Sequence, residues 1–90
     1  MKAKTVARKL THAGIAVQHV SEQNNIEDGM ITLPTKTYPH LHVQVGLNYA
    51  MLVRECRSRL GEVTGFRFSE AYRSAEAFVA DFPTLVEQMQ

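Results

Sequence analysis

The clearest pattern in the chain is a strict alternation of apolar and polar residues between Pro39 and Gly46. Its apolar positions are Leu41, Val43 and Val45, and its polar positions are His40, His42 and Gln44. A period of two places successive side chains on opposite faces of a strand, so this segment is predicted to be a half-buried β-strand. Proline is tolerated at the first position of a strand and glycine marks its end, which sets the predicted bounds.

The residues after this strand predict a β-hairpin. Because Asn48 tolerates the left-handed conformation at the last position of a three-residue loop, Gly46-Leu47-Asn48 is the predicted loop. That loop pairs Val45 with Tyr49, Val43 with Met51 and Leu41 with Val53, which places all the paired apolar side chains on one face. The opposite, open face is then expected to show His40, His42, Gln44, Ala50, Leu52 and Arg54.

Two segments have the 3.6-residue period of an amphipathic helix. Residues 3–13 carry an apolar stripe made of Ala3, Val6, Ala7, Leu10 and Ala13, and Gly14 follows as the expected C-terminal residue. The second helix is predicted to follow Ser74, a typical N-cap, and its stripe consists of Ala75, Phe78, Val79, Phe82, Leu85, Val86 and Met89. Pro83 interrupts that stripe, so the helix is expected either to kink there or to stop and restart.

Three further strands are predicted at residues 15–20, 29–33 and 62–68. Ile15 and Val17 are the expected inner pair of the first strand, and Phe66 and Phe68 in the last are expected to belong to the core. Residues 21–28 are rich in turn-forming residues and predict a polar loop that contains Glu27 and Asp28. A further turn is expected at residues 57–61.

The order of a helix, several strands and a second helix, without a crossover pattern, predicts an α+β fold of one domain over residues 1–90. We expect a two-layer sandwich. Its antiparallel meander sheet has four or five strands, and the N-terminal and C-terminal helices cover one face.

Composition mainly excludes classes of protein. In the 90-residue chain, 44% hydrophobic and 21% charged residues are ordinary globular values. No apolar run approaches the roughly 20 residues of a membrane span, and the first residues lack the apolar core of a secretory signal. Cys56 is the only cysteine, so no disulfide framework is possible. We therefore expect a protein of the reducing cytoplasm without a membrane partner.

Charge is unevenly distributed, although the formal net charge is only +1. Residues 1–20 contain four basic residues and no acidic one, whereas residues 70–90 contain four acidic residues and one arginine. This asymmetry fits either an external electrostatic partner or mutual neutralisation of the two ends of the chain. The first interpretation predicts a nucleic-acid surface made of Lys2, Lys4, Arg8, Lys9, Arg57 and Arg59, with Phe66 and Phe68 as candidates for base stacking.

His40 and His42 carry a second alternative, a metal- or nucleotide-dependent activity. Two histidines at i and i+2 on a strand share a face and can hold one ion, but a catalytic zinc needs a third protein ligand. The segment from His40 to Gly46 also resembles the signature of the histidine-triad nucleotide hydrolases and transferases, over seven residues. This resemblance implies that His42 attacks a phosphorus atom and that Gln44 takes the place of the third histidine, as in the nucleotidyltransferase branch.

The open sheet face supports the main functional prediction. Its mixture of polar and apolar side chains is typical of transient or homodimeric interfaces, and a small domain gains stability by dimerising. We therefore predict a small non-catalytic intracellular interaction domain, a protein-binding adaptor, regulator or inhibitor that forms a homodimer and needs no cofactor. Its predicted interface residues are His40, His42, Gln44, Leu52 and Arg54.

Overall fold

The computed structural model describes residues 1–22 and 29–90, which form a five-stranded antiparallel sheet with one helix before it and one after it. The elements are α1 (Ala3–His12), β1 (His19–Glu22), β2 (Gly29–Thr32), β3 (Leu41–Gly46), β4 (Tyr49–Arg57), β5 (Val63–Phe68) and α2 (Ala75–Met89). The order in the sheet is β1-β2-β3-β4-β5, so each strand pairs with its neighbours in sequence. This confirms the predicted α+β meander, with five strands.

Both helices pack on the same face of the sheet, and the core lies between the two layers. The largest fully buried side chains are Phe78, Phe82, Leu10, Ile31, Leu33, Leu52, Val6, Val43, Val45 and Val53. All of these except Val53 belong to one hydrophobic cluster. Within it, the rings of Phe78 and Phe82 meet edge to face with centroids 5.9 Å apart. The predicted sandwich with one covered face is therefore confirmed.

The helix signals in the sequence act as predicted. In α1 the buried residues are Ala3, Val6, Ala7 and Leu10, and Gly14 follows with a positive φ of 83°. In α2 the hydroxyl of Ser74 accepts a hydrogen bond from the backbone N–H of Ala77 at 3.2 Å. Of the two outcomes expected at Pro83, the helix does not stop there, because α2 runs as one element from Ala75 to Met89.

The first strand begins later than predicted. Ile15 is buried in the core but precedes β1, because its N–H still bonds the carbonyl of Leu10 at the end of α1. Ser21 and Glu22, predicted as loop, belong to β1. The rest of that predicted loop, with the turn at Glu27 and Asp28, lies outside the described residues.

The predicted register of the β3–β4 hairpin is wrong by one residue. Gly46 pairs with Tyr49, so the loop consists of Leu47 and Asn48 alone. The pairs that follow are Val45 with Ala50, Val43 with Leu52 and Leu41 with Arg54. A one-residue slip exchanges the two faces of a strand, so Ala50 and Leu52 are buried under the helices. The open face carries Tyr49, Met51 and Val53 instead.

Gly46 supplies a test of this register. A Cβ atom there would lie 2.2 Å from a ring carbon of Tyr49, and that ring is held by a hydrogen bond from the Gln44 amide to its hydroxyl. We expect Gly46→Ala to lower the free energy of unfolding by about 1–3 kcal/mol in urea titrations, the usual cost of overpacking.

Gly65→Ala is the matched control, because no atom lies within 4 Å of the added methyl group. We also expect Tyr49→Ala to remove most of the cost of Gly46→Ala in a double-mutant cycle. Equal stability of Gly46→Ala and Gly65→Ala would contradict the observed pairing.

Candidate functional site: the open face of the sheet

The face of the sheet opposite the helices is the candidate site, and the strand registers define which residues belong to it. Directly paired residues share a face, so the chain of pairs from β1 to β5 identifies this surface. Its members are His19, Ser21, Met30, Thr32, His42, Gln44, Tyr49, Met51, Val53, Glu55, Phe66 and Phe68. We call this set the open face.

The two phenylalanines of β5 form the most exposed apolar part of the open face. Phe66 is 51% exposed and Phe68 is 57% exposed, and their ring centroids lie 6.4 Å apart. Phe68 pairs with Val53, which is only 1% exposed. The expectation that both phenylalanines belong to the core is wrong, because their pairing with Val53 and Glu55 places them on the face of the sheet opposite the helices.

A shallow trough runs along the other half of the open face. Its larger part has a volume of about 490 Å³ and is lined in part by Met30, Thr32, His42 and Glu55. A smaller part, of about 270 Å³, shares Met30 and His42 and continues toward Tyr49. The open face therefore has two features. Phe66 and Phe68 on β5 form an apolar ridge, and the trough lies over β2 and β3.

His42 lies in this trough and is half-buried. Burial lowers the pKa of its imidazole below the ordinary 6.5, because desolvation disfavours the charged ring, and the carboxylate of Glu55 opposes this effect only in part. The ring is therefore neutral at physiological pH and presents one donor and one acceptor nitrogen.

The predicted interface residues divide between two locations. His42 and Gln44 lie on the open face as expected. His40 lines the trough but precedes β3 and has a positive φ of 64°, so it does not continue the alternation. Leu52 is buried in the core, and the Arg54 guanidinium donates to the carbonyl of Met89 in α2. These two residues belong to the helix-covered face because of the hairpin register, which corrects the prediction.

The histidine pair does not gain further ligands in the structure. Within residues 1–22 and 29–90 no group of three or more histidine, cysteine, aspartate or glutamate side chains is close enough to hold a metal ion. Glu55, the nearest acid that lines the trough with His40 and His42, is 2.7 Å from the guanidinium of Arg57. The described residues thus offer two imidazoles without a third protein ligand.

The basic residues lie elsewhere. On α1, Lys4 pairs with Glu22 and Lys9 pairs with Glu76 at 2.9 Å. The hydrogen bond from Lys9 lowers the pKa of Glu76 to about 2. Arg8 is exposed on the same helix, and Lys2 is exposed just before it. Arg57 is the last residue of β4, and Arg59 follows it in the turn. The lysines of α1 and the phenylalanines of the open face therefore lie in different layers of the sandwich.

No family model, curated protein or solved structure matches this chain. Among the residues that the structure describes, no helix combines the length and the apolar character that crossing a membrane requires. Any functional proposal therefore depends on the geometry and chemistry of the open face.

Sequence reasoning missed most of the apolar residues of the site. Met30, Tyr49, Met51 and Val53 belong to the open face, together with both phenylalanines of β5. The one signal in the sequence was the uninterrupted apolar run at residues 49–53, since such a run supplies apolar side chains to both faces of a strand.

The lowered pKa of His42 predicts a pH dependence of stability. The unfolded chain takes up this proton near pH 6.5, while the folded protein resists it until a lower pH is reached. The stability that neutral His42 contributes is therefore complete above pH 6.5 and is lost as the pH falls through the lower folded pKa. We expect His42→Gln to lose less stability than the wild type between pH 7.5 and about pH 5.

Urea titrations across this pH range measure the effect. His12→Gln, a substitution at an exposed histidine at the end of α1, is the control. Identical pH profiles for the wild type and His42→Gln would show that the trough does not desolvate this ring.

Proposed function

We propose that this protein is a protein-interaction domain and that its open face is the surface that binds the partner. The observation that carries the proposal is the exposure of Phe66 and Phe68, at 51% and 57%, on the sheet face opposite the two described helices. Exposed aromatic side chains grouped on one surface are costly in water, and contiguous apolar patches commonly mark sites of interaction.

The composition of the open face supports a protein as the partner. Aromatic residues and methionine are enriched in the cores of protein interfaces, while charged residues are depleted there. This face has three aromatic residues and two methionines. Its one acidic side chain, Glu55, is paired with Arg57. A surface of this kind offers little to a polyanion such as nucleic acid, whose affinity depends on unpaired basic side chains.

The basic side of the molecule gives less support to nucleic-acid binding. Two of the three lysines and arginines on α1 are engaged with Glu22 and Glu76. Arg57 donates to the carbonyl of Gly61 and to the carboxylate of Glu55. We therefore infer that the uneven charge of the sequence serves largely to neutralise neighbouring segments of this chain.

A binding experiment with two matched variants tests the proposal. Phe66→Lys combined with Phe68→Lys places two charges on the open face, whereas Leu60→Lys changes a residue that is 87% exposed in the turn before β5. All three positions are largely exposed, so the variants should fold. Their thermal unfolding checks this.

After nuclease treatment, we expect tagged wild-type protein to retain an untagged protein partner. Untagged copies of the chain itself count as such a partner. The double variant should lose at least 90% of the retained protein, because burying two unpaired charges is unfavourable, and Leu60→Lys should retain it. Equal retention by the wild type and the double variant, or retention that nuclease abolishes, would contradict the proposal.

A further inference from the structure

We propose that the partner on the open face is a second copy of this chain. The two sheets pack face to face about a two-fold axis that runs along the strands between β3 and β4. Phe66 and Phe68 of each copy then enter the trough of the other. This inference rests on the proposed function, since it assigns the occupant of the same surface.

The first argument is that the ridge and the trough lie at the same position along the strand direction, which we call their height. Thr32, His42, Val53 and Phe68 form one continuous row of paired residues across β2, β3, β4 and β5. Phe66 lies two residues further along β5 and pairs with Glu55. Thr32, His42 and Glu55 all line the larger part of the trough. The ridge on β5 and the trough, which extends from β2 and β3 to Glu55 on β4, therefore lie at the same height on one face.

The second argument is symmetry. A two-fold axis parallel to the strands preserves height along them and exchanges the two halves of the face. An axis between β3 and β4 places β5 over the partner's β2 and β4 over the partner's β3. Each ridge then lies over a trough, and the contact occurs twice, as an isologous interface requires.

The third argument is charge. Two identical surfaces pack together only if they carry no excess of one sign, since like charges across an interface cost several kcal/mol. The open face meets this condition, because Glu55 is neutralised by Arg57 at 2.7 Å and burial favours the uncharged form of His42. A strongly acidic or basic partner would find no complementary charge here.

The fourth argument is area. Four strands about 4.8 Å apart and about 20 Å long project roughly 400 Å² per copy. Side-chain relief makes the accessible area larger than this projection. Weak interfaces bury less than about 600 Å² per partner, while stable interfaces bury about 800 Å². The face is therefore large enough for a reversible dimer, and the monomer–dimer equilibrium should depend on concentration.

The free edge of β5 is the alternative site for a second copy, and two features disfavour it. The pairing of β4 with β5 shifts register between Cys56 and Arg57, and such irregularities bend an edge strand away from regular pairing. Arg67 is also exposed on β5, one residue before its end, and a charge on an edge strand discourages addition of another strand.

Sedimentation equilibrium of the untagged protein tests the oligomeric state. We expect a species of twice the 10.1 kDa chain mass. Phe68→Lys and Thr32→Arg should each raise the dissociation constant at least 30-fold, because one removes the ridge and the other fills the trough. Leu60→Lys should leave the constant unchanged.

Cysteine cross-linking tests the relative arrangement of the two copies. All variants carry Cys56→Ser, so that only the introduced cysteines can form disulfides. A mixture of Phe68→Cys and Thr32→Cys chains should form the mixed disulfide in excess over either symmetric one, and a mixture of Leu60→Cys and Thr32→Cys chains should not. A symmetric disulfide of Phe66→Cys as the dominant product would instead indicate pairing through the β5 edge and would overturn the proposed arrangement.

The outcomes separate this inference from the proposed function. A wild-type chain that stays monomeric at millimolar concentration, but loses a different protein partner through Phe68→Lys, would overturn the dimer and leave the open face as a binding surface. A monomer that binds no protein through this face would overturn both.

Discussion

The rest of the structure depends on one constraint, which is that the two helices cover only one face of the sheet. Residues 1–22 and 29–90 form five strands and two helices, and both helices pack on the same face. α1 packs on β1 and β2, and α2 packs on β4, so the covered area ends before β5. The opposite face and the whole of β5 are therefore left to solvent or to another molecule.

The registers of β3 with its two neighbours decide what the uncovered surface contains. Leu41, Val43 and Val45 are buried and face the helices. Because directly paired residues share a face, the registers determine which residues of β2 and β4 face the helices too. On β4 the register places Ala50 and Leu52 on the helix-covered face and Met51 and Val53 on the open face. The apolar run at residues 49–53 of β4 is thus divided between the core and the candidate interface.

The fold was largely predictable from the sequence because its signals are local. The period of α1, the Ser74 cap of α2 and the alternation of β3 each arise from neighbouring residues, and the structure has all three elements. The hairpin register was not predictable in this way. Residues 49–53 are apolar at every position, so both loop lengths oppose apolar side chains to Val43 and Val45. Only the two-residue loop opposes Arg54 to Leu41, and the pattern therefore favoured the longer loop. The structure accommodates Arg54 there because its guanidinium donates to the carbonyl of Met89 in α2.

The site was predictable only in part for the same reason. His42 and Gln44 were identified because they alternate with buried residues on β3. Leu52 and Arg54 were assigned to the wrong face by the hairpin register. Phe66 and Phe68 were expected inside because phenylalanine usually is. Their exposure follows from the register of β5 with β4, which directs both rings to the face opposite the helices. That register is a property of the assembled sheet rather than of residues 63–68.

The central claim is that the open face is an interface in which the ridge on β5 meets the trough over β2. Within one chain, Met30 and Phe68 lie three strands apart, about 14 Å at the usual spacing, which is too far for a nuclear Overhauser effect between them. The direct measurement is an isotope-filtered experiment on a mixture of chains labelled at methionine methyl groups and chains labelled at phenylalanine rings. The account predicts cross-peaks from the Met30 methyl group to the ring of Phe68, whose row lies two residues from the Met30 row. A dimer without these cross-peaks, or with cross-peaks confined to the outer edge of β5, would contradict it.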